Sequence, residues 1–198
     1  MVRGHAEALA PMVQRVMRNA GIPFSGLKGI AVTVGPGTFT GQRVGLAFAR
    51  ALGVALKIPV SGTTTLEAMA EEALAICPQA QWAIVAADAK RDEIYLSAVS
   101  ADGRVLISPQ LVPIAGMPAV IGAIGAESGC ALALAGTGVA LMQPLLEQAG
   151  YGAVDSGVRQ PTARYVAIAA ARRPRPEGAR PLYLRPPDAR LPGASHGH

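Results

Sequence analysis

Two glycine-rich turns in this 198-residue chain have the composition of phosphate-binding loops. Gly35-Pro36-Gly37-Thr38, with Gly41 close behind, separates a β-branched run from a helical one, and Gly136-Thr137-Gly138 repeats the arrangement on a smaller scale. A glycine turn entering a helix presents free backbone N–H groups at the positive end of the helix dipole, where an anion can sit. Gly35, Gly37, Thr38, Gly41, Gly136, Thr137 and Gly138 are therefore candidate phosphate or nucleotide contacts, and plain structural turns are the other reading. Neither turn runs on into Gly-Lys-Ser/Thr, so neither is a P-loop; neither carries GxGxxG with a ribose-binding acid at the right distance. Asp88 and Arg91 form a candidate polar pair at a cleft between the two halves, or Asp88 instead caps an Asx turn. There is no Ser-His-Asp order, no Cys-His pair and no metal spacing. His5 stands alone at a helix start, His196 and His198 lie in a Gly-rich tail, and Cys77 and Cys130 are too few for a disulfide framework. On residues alone the chain reads as a scaffold or binding protein rather than a catalyst.

The elements that position these turns are legible from periodicity. Ile30 to Val34 reads as a strand covered on both faces. Beyond the first turn, where Thr38 or Thr40 can cap, Val44, Ala47, Phe48, Ala51, Leu52 and Ala55 recur at helical spacing. A second row of that helix is nearly bare: Gly41, Gly45, Ala49 and Gly53. Glycine inside a helix costs roughly 1 kcal/mol against alanine, so such a stripe should admit a close backbone neighbour. That neighbour is either the chain's own sheet or another protein. Before it, Leu9, Met12, Val13, Val16 and Met17 predict an amphipathic helix over 5–20, which Pro11 should kink or start.

Downstream, Ile58 to Gly62 reads as a strand, and Thr64 followed by Glu67 as a capping box opening a helix to about Ile76. Trp82–Ala87, Glu93–Ser100 and Val105–Val112 predict an antiparallel meander with a hairpin turn at Asp102-Gly103. Ala131–Ala135 begins a second strand–turn–helix unit, ending near Gly150. Residues 113–130 are Gly/Ala-rich and suggest a helix between loops. A further helix opens at Pro161-Thr162 and runs to about Arg173. The Pro-rich stretch 174–190 should run extended, with 181–185 pairing at a sheet edge, and 191–198 reads as a disordered tail. This gives an α/β chain divided as 1–80, 81–173, 174–190 and 191–198.

Hydrophobic residues make up 51% of the chain, enough for a core at this length. No apolar run approaches the roughly 20 residues of a membrane helix, and no signal-peptide pattern opens the chain; a soluble intracellular protein is the expectation. The net charge of +5 is uneven. Residues 159–198 hold eight arginines against Glu177 and Asp188, leaving −1 for the first 158 residues. That basic stretch is either solvated or placed to meet RNA phosphates.

VGPGTFTGQRVGLAFARAL, preceded by GHAEALAPMV and followed by SGTTTLEAMA, DAKRDEIY, AGTG and PLYLRPPDAR, resembles the bacterial TsaB (YeaZ) family from about Gly4 to Arg190. The resemblance implies an actin-like, Hsp70-like (ASKHA) two-lobed fold. It implies a non-catalytic scaffold subunit that binds a TsaD-type transferase in threonylcarbamoylation of adenosine 37 of tRNAs reading codons that start with A. A TsaE-type ATPase would join them, and a TsaC-type synthase would supply the threonylcarbamoyl-adenylate. tRNA would be met indirectly, and a homodimer would form without the partner. No cofactor would be held firmly, with ATP or ADP at the complex interface, no metal, and a cytoplasmic setting. The interface would comprise Leu9, Met12, Val13, Val16, Gly41, Gly45, Ala49 and Gly53 on the two first helices. The family's older grouping with glycoprotease peptidases keeps a peptidase, or an actin-like ATP-binding enzyme, as the alternative. Family members begin with strands that have no counterpart after Met1, which implies a first lobe incomplete at its N-terminus.

Overall fold

The computed structural model describes residues 5–123, 131–174 and 178–185. Two sheets organise it. β1 (Ile30–Thr33) and β2 (Val60–Thr63) pair in parallel, Ile30 opposite Val60. Parallel neighbours need a crossover, and α2 (Phe39–Leu56) provides it. The second sheet has the strand order β5-β4-β3-β6-β7. β3 (Trp82–Lys90), β4 (Glu93–Ser100) and β5 (Val105–Pro113) form the antiparallel meander. β6 (Ala131–Ala135) and β7 (Gly152–Asp155) add to it in parallel. β7 has no sequence signature, being four residues with one half-buried side chain at the sheet's edge.

The five-stranded sheet is covered on both faces. α4 (Met117–Gly122) and α5 (Val139–Gln148) bring Met117, Ile121, Met142 and Leu146 against Ile84, Leu96 and Leu132. On the other face, α3 (Thr65–Ile76) brings Leu66, Met69 and Ala73 against Val85, Val99 and Ala133. Its capping box is formed: the Thr64 hydroxyl accepts from Glu67 N at 3.0 Å, and Glu67 accepts from Thr64 N at 2.9 Å. Behind α3 lies α6 (Ala163–Arg172), whose Val166 and Ala169 meet Ala68 of α3 and Ala31 of β1. The two sheets therefore fall on either side of residue 80, yet α3 from the earlier stretch lies on the later sheet, and α6 from the later stretch lies on the earlier one.

Three details depart from the sequence expectations. β1 is half-buried along its length, because its sheet has two strands and does not screen both faces. β2 starts at Val60, because Lys57 takes a left-handed φ of 55° and Ile58 N bonds to Gly53 O at 3.0 Å, drawing 57 and 58 into the end of α2. α1 (His5–Ala20) has the expected bounds, with Pro11 inside it. The stretch 178–185 forms no strand; a single backbone bond, Leu182 N to Val34 O at 2.7 Å, lays it beside β1. Arg50 holds this strap through Ala179 O at 2.6 Å, and Arg185 ties it to the other sheet through Ala89 O at 2.8 Å and the Glu93 carboxylate. The expected tail over 191–198, with 186–190, lies outside the described residues. Among the described residues no helix is long and apolar enough to cross a membrane.

Charge fixes the helix layer. Glu71, 5% exposed, accepts from Arg172 at 2.8 Å and Arg173 at 2.6 Å, and Arg173 also reaches Gly103 O at 2.7 Å. Glu71→Ala would strand the Arg173 guanidinium in a mostly covered position and is expected to destabilise by about 2–3 kcal/mol in urea titration. Arg172→Ala, on a side chain 56% exposed, should cost under about 1 kcal/mol. After β7, the Arg159 side chain bonds to Asp155 and holds its carboxyl below the ordinary value of 3.8. The folded value lies beneath the unfolded one, so this support is complete above the unfolded value and is lost as pH falls through the folded one. Asp155→Asn is expected to lower the urea midpoint at neutral pH, and the difference from the parent should shrink as pH falls below the ordinary carboxylate value of 3.8.

Candidate functional site

Both glycine turns and the end of β3 converge on one cleft between the sheets. A cavity of about 410 Å³ there is lined by Gly37, Thr38, Thr65, Asp88, Thr137 and Arg159, among others. Each lining group is placed by its element. The first turn leaves β1 and is pinned where Thr65 N donates to Gly35 O at 2.8 Å. The second leaves β6, and the Thr137 hydroxyl accepts from Asp88 N at 3.0 Å, joining β3 to the turn. Arg159 follows β7 and stays bonded to Asp155.

The two turns are not equivalent. Gly136 N donates to Val158 O at 2.8 Å and Gly138 N to Ala86 O at 2.9 Å, so neither amide is free for an anion. Gly136 has φ +99°, and a Cβ there would run into the Ala86 backbone; glycine is required for close approach. Gly136 and Gly138 are thus corrected from phosphate contacts to structural positions, and of that turn Thr137 alone lines the cavity. Gly35 is likewise a close-approach residue: a Cβ would stand 2.9 Å from Leu182 O of the strap. Gly37 and Thr38 are exposed on the cleft, and Gly41 lines an adjoining cavity of about 210 Å³ with Gln42 and Gly45.

Asp88 is engaged by Lys90, where the sequence suggested Arg91. Lys90 donates its amide to Oδ1 at 2.8 Å and its ammonium to Oδ2 at 2.5 Å. Lys90, Arg91 and Asp92 have φ of 64°, 61° and 57°, and this left-handed turn folds residue 90 back over Asp88. The Lys90 side-chain bond, then its amide bond, holds the Asp88 carboxyl below its ordinary range, so it is ionised at neutral pH. The Asx reading is the one the geometry matches. Three threonine hydroxyls, an exposed glycine turn, a carboxylate already matched by an ammonium and a guanidinium already matched by a carboxylate share the cleft with the apolar Pro36, Met69 and Ala87, so it carries little net charge. Among the described residues no three His, Cys, Asp or Glu side chains gather in a metal-binding group.

The bare stripe of α2 divides in two. Ala49 and Gly53 are buried by the chain's own sheet, and a Cβ on Gly53 would press on the Val60 side chain and stand 3.2 Å from Ile58 O. These two are corrected from interface to interior: the small residues let α2 lie close on β2. Gly41 is exposed, and Gly45 has nothing within 4 Å of where its Cβ would be. On α1, Leu9 and Val13 are half-buried, while Met12 is 40% and Val16 58% exposed. Sequence reasoning missed Thr65, Arg159 and Gln160 in the cleft. The Asp155–Arg159 spacing was a local hint of an ion pair, but nothing local placed it here.

The sequence and fold have parallels among known proteins. A family model described as TsaD: tRNA N6-adenosine threonylcarbamoyltransferase matches residues 1–166. An uncharacterized protein of Mycobacterium tuberculosis is 34% identical over 191 residues, covering 95% of this chain and 78% of that protein. The tRNA threonylcarbamoyladenosine biosynthesis protein TsaB of Haemophilus influenzae is 35% identical over 97 residues, 49% of this chain and 41% of its own length. Among solved structures, YeaZ from Pseudomonas aeruginosa superposes with a TM-score of 0.72 at 28% identity, covering 93% of this chain and 87% of its own. That superposition takes in both sheets and the helices between them, which makes the fold ASKHA-type α/β. The chain belongs to the TsaD/TsaB (YeaZ) glycoprotease family, tied to threonylcarbamoyladenosine formation in tRNA.

Proposed function

We propose that this chain is a non-catalytic scaffold subunit that binds a TsaD-type transferase acting on adenosine 37 of tRNAs that read codons beginning with A. The observation that carries the reading is the open ground on the first two helices: Met12 and Val16 stand exposed on α1, α1 lies against α2, and Gly45 of α2 has empty space over it. Exposed apolar side chains on one helix and a bare glycine on the next each suit another helix packed at short range. A TsaE-type ATPase joins the pair in this reading, a TsaC-type synthase provides the activated threonylcarbamoyl group, and the setting is the cytoplasm. The Gly37, Thr38 and Thr137 wall is the part of this chain that would face ATP or ADP held at the complex interface. The competing reading is an actin-like ATP-binding enzyme or a peptidase. The cavity between the two glycine turns is the feature that favours the first of these, and clean isolated protein without saturable ATP turnover or peptide cleavage would remove both.

Gly45→Leu is expected to abolish co-purification with a TsaD-type protein while keeping the parent melting temperature, because the added side chain enters open space. Gly53→Leu should instead lower the melting temperature, because it meets Val60. Normal partner capture by Gly45→Leu would show that the interface lies elsewhere.

A further inference from the structure

Phe39, at the start of α2, is 54% exposed, and Tyr183, on the strap, is 50% exposed. They arrive from opposite ends of the chain and stand with ring centroids 5.7 Å apart and planes tilted by 36°. The Arg43 guanidinium lies 3.6 Å from the Phe39 centroid. Three planar groups thus form a step on the surface. Anchoring the strap does not require it: Leu182 makes the backbone bond to Val34 and packs with Val34, Leu46 and Ala179, a cluster that includes neither ring. Beside the step runs a groove of about 160 Å³, walled by Pro36, Tyr95, Tyr183 and Leu184 with Arg185 among its lining.

The charged side chains of α2 and of residues 178–185 are all basic, although Arg185 is paired with Glu93. Neither α2 nor residues 178–185 contain an acidic residue. Arg43, Arg50 and Arg180 are exposed on this seam, and none has a carboxylate partner among the described residues. Guanidinium groups with no carboxylate to neutralise them, flanking exposed aromatic faces, are the combination that holds unstacked bases: any base offers a π-face to a ring, and its phosphates meet the cations.

We propose that the Phe39–Tyr183 step binds single-stranded RNA, one base stacking on Tyr183 and neighbouring phosphates meeting Arg43, Arg50 and Arg180. This stands apart from the scaffold reading, since it needs no second protein. The test uses the full chain alone and a fluorescently labelled single-stranded RNA oligonucleotide, followed by anisotropy, with an abasic oligonucleotide of the same length as comparison. The abasic strand is expected to bind about tenfold more weakly, Tyr183→Ala to lose about tenfold, and Tyr183→Phe to keep the parent affinity. Arg43→Ala should lower the slope of log affinity against log salt by about 1. Melting temperatures should stay at the parent value, because both rings are half in solvent. Equal binding of the abasic strand, or a folded Tyr183→Ala with parent affinity, would overturn the proposal. So would a Tyr183→Ala that loses capture of a TsaD-type protein and leaves RNA affinity unchanged, which would make the step a protein contact.

Discussion

The Glu67 carboxylate keys the two sheets to one another. It accepts from the Thr64 amide and hydroxyl and from the Thr63 hydroxyl, all at the point where β2 becomes α3. A carboxylate 5% exposed is tolerable only when it is hydrogen-bonded, and its Oε2 receives all three of these bonds. Its satisfaction fixes the first turn of α3, and the next amide, Thr65 N, reaches across to Gly35. One local motif therefore sets the end of a strand of the small sheet, the start of the helix that covers the large one, and the height of the glycine turn in the cleft. With α3 so placed, its apolar face closes on the five-stranded sheet, and Glu71, one turn further on, collects the arginines at the end of α6.

Much of this was readable beforehand, for reasons that differ by element. The capping box and the meander are short-range: a Thr-x-x-Glu spacing, alternating side chains and an Asp-Gly turn contain their own geometry. α2 was legible as a helix but not in its orientation. Its larger apolar row and its bare row both have helical spacing, and hydrophobicity alone favours turning the larger row inward. The structure instead buries Leu46, Ala49 and Gly53, leaves Val44, Phe48 and Leu52 half-buried and exposes Ala47, Ala51 and Ala55, so the larger row is split and Gly53 is what lets the helix end lie close on β2. The strand β7 escaped because an edge strand of four residues has no period to detect.

The cleft was half legible. Its turns and Asp88 could be named from residue type, and they do meet. Which turn amides remain free could not be known, because their acceptors, Ala86 O and Val158 O, come from distant segments. The partner of Asp88 turned on three successive left-handed residues, a conformation that Lys-Arg-Asp does not announce. The cleft is best seen as two loops of unequal freedom. One is locked to β3 and serves as a fixed wall; the other is held at Gly35 and leaves Gly37 and Thr38 facing outward.

The strap has a consequence for the order in which the molecule is made. Leu182 bonds to Val34, Ala179 to Arg50 and Arg185 to Glu93, so the segment that clamps both sheets is translated after every strand and helix it touches. During vectorial synthesis the five-stranded sheet and its helices can settle first, while β1 still has an uncovered edge and Val34 lacks its final cover. A nascent chain passes through a stage in which the small sheet is the exposed, sticky part, and it leaves that stage when residues 178–185 clear the ribosome.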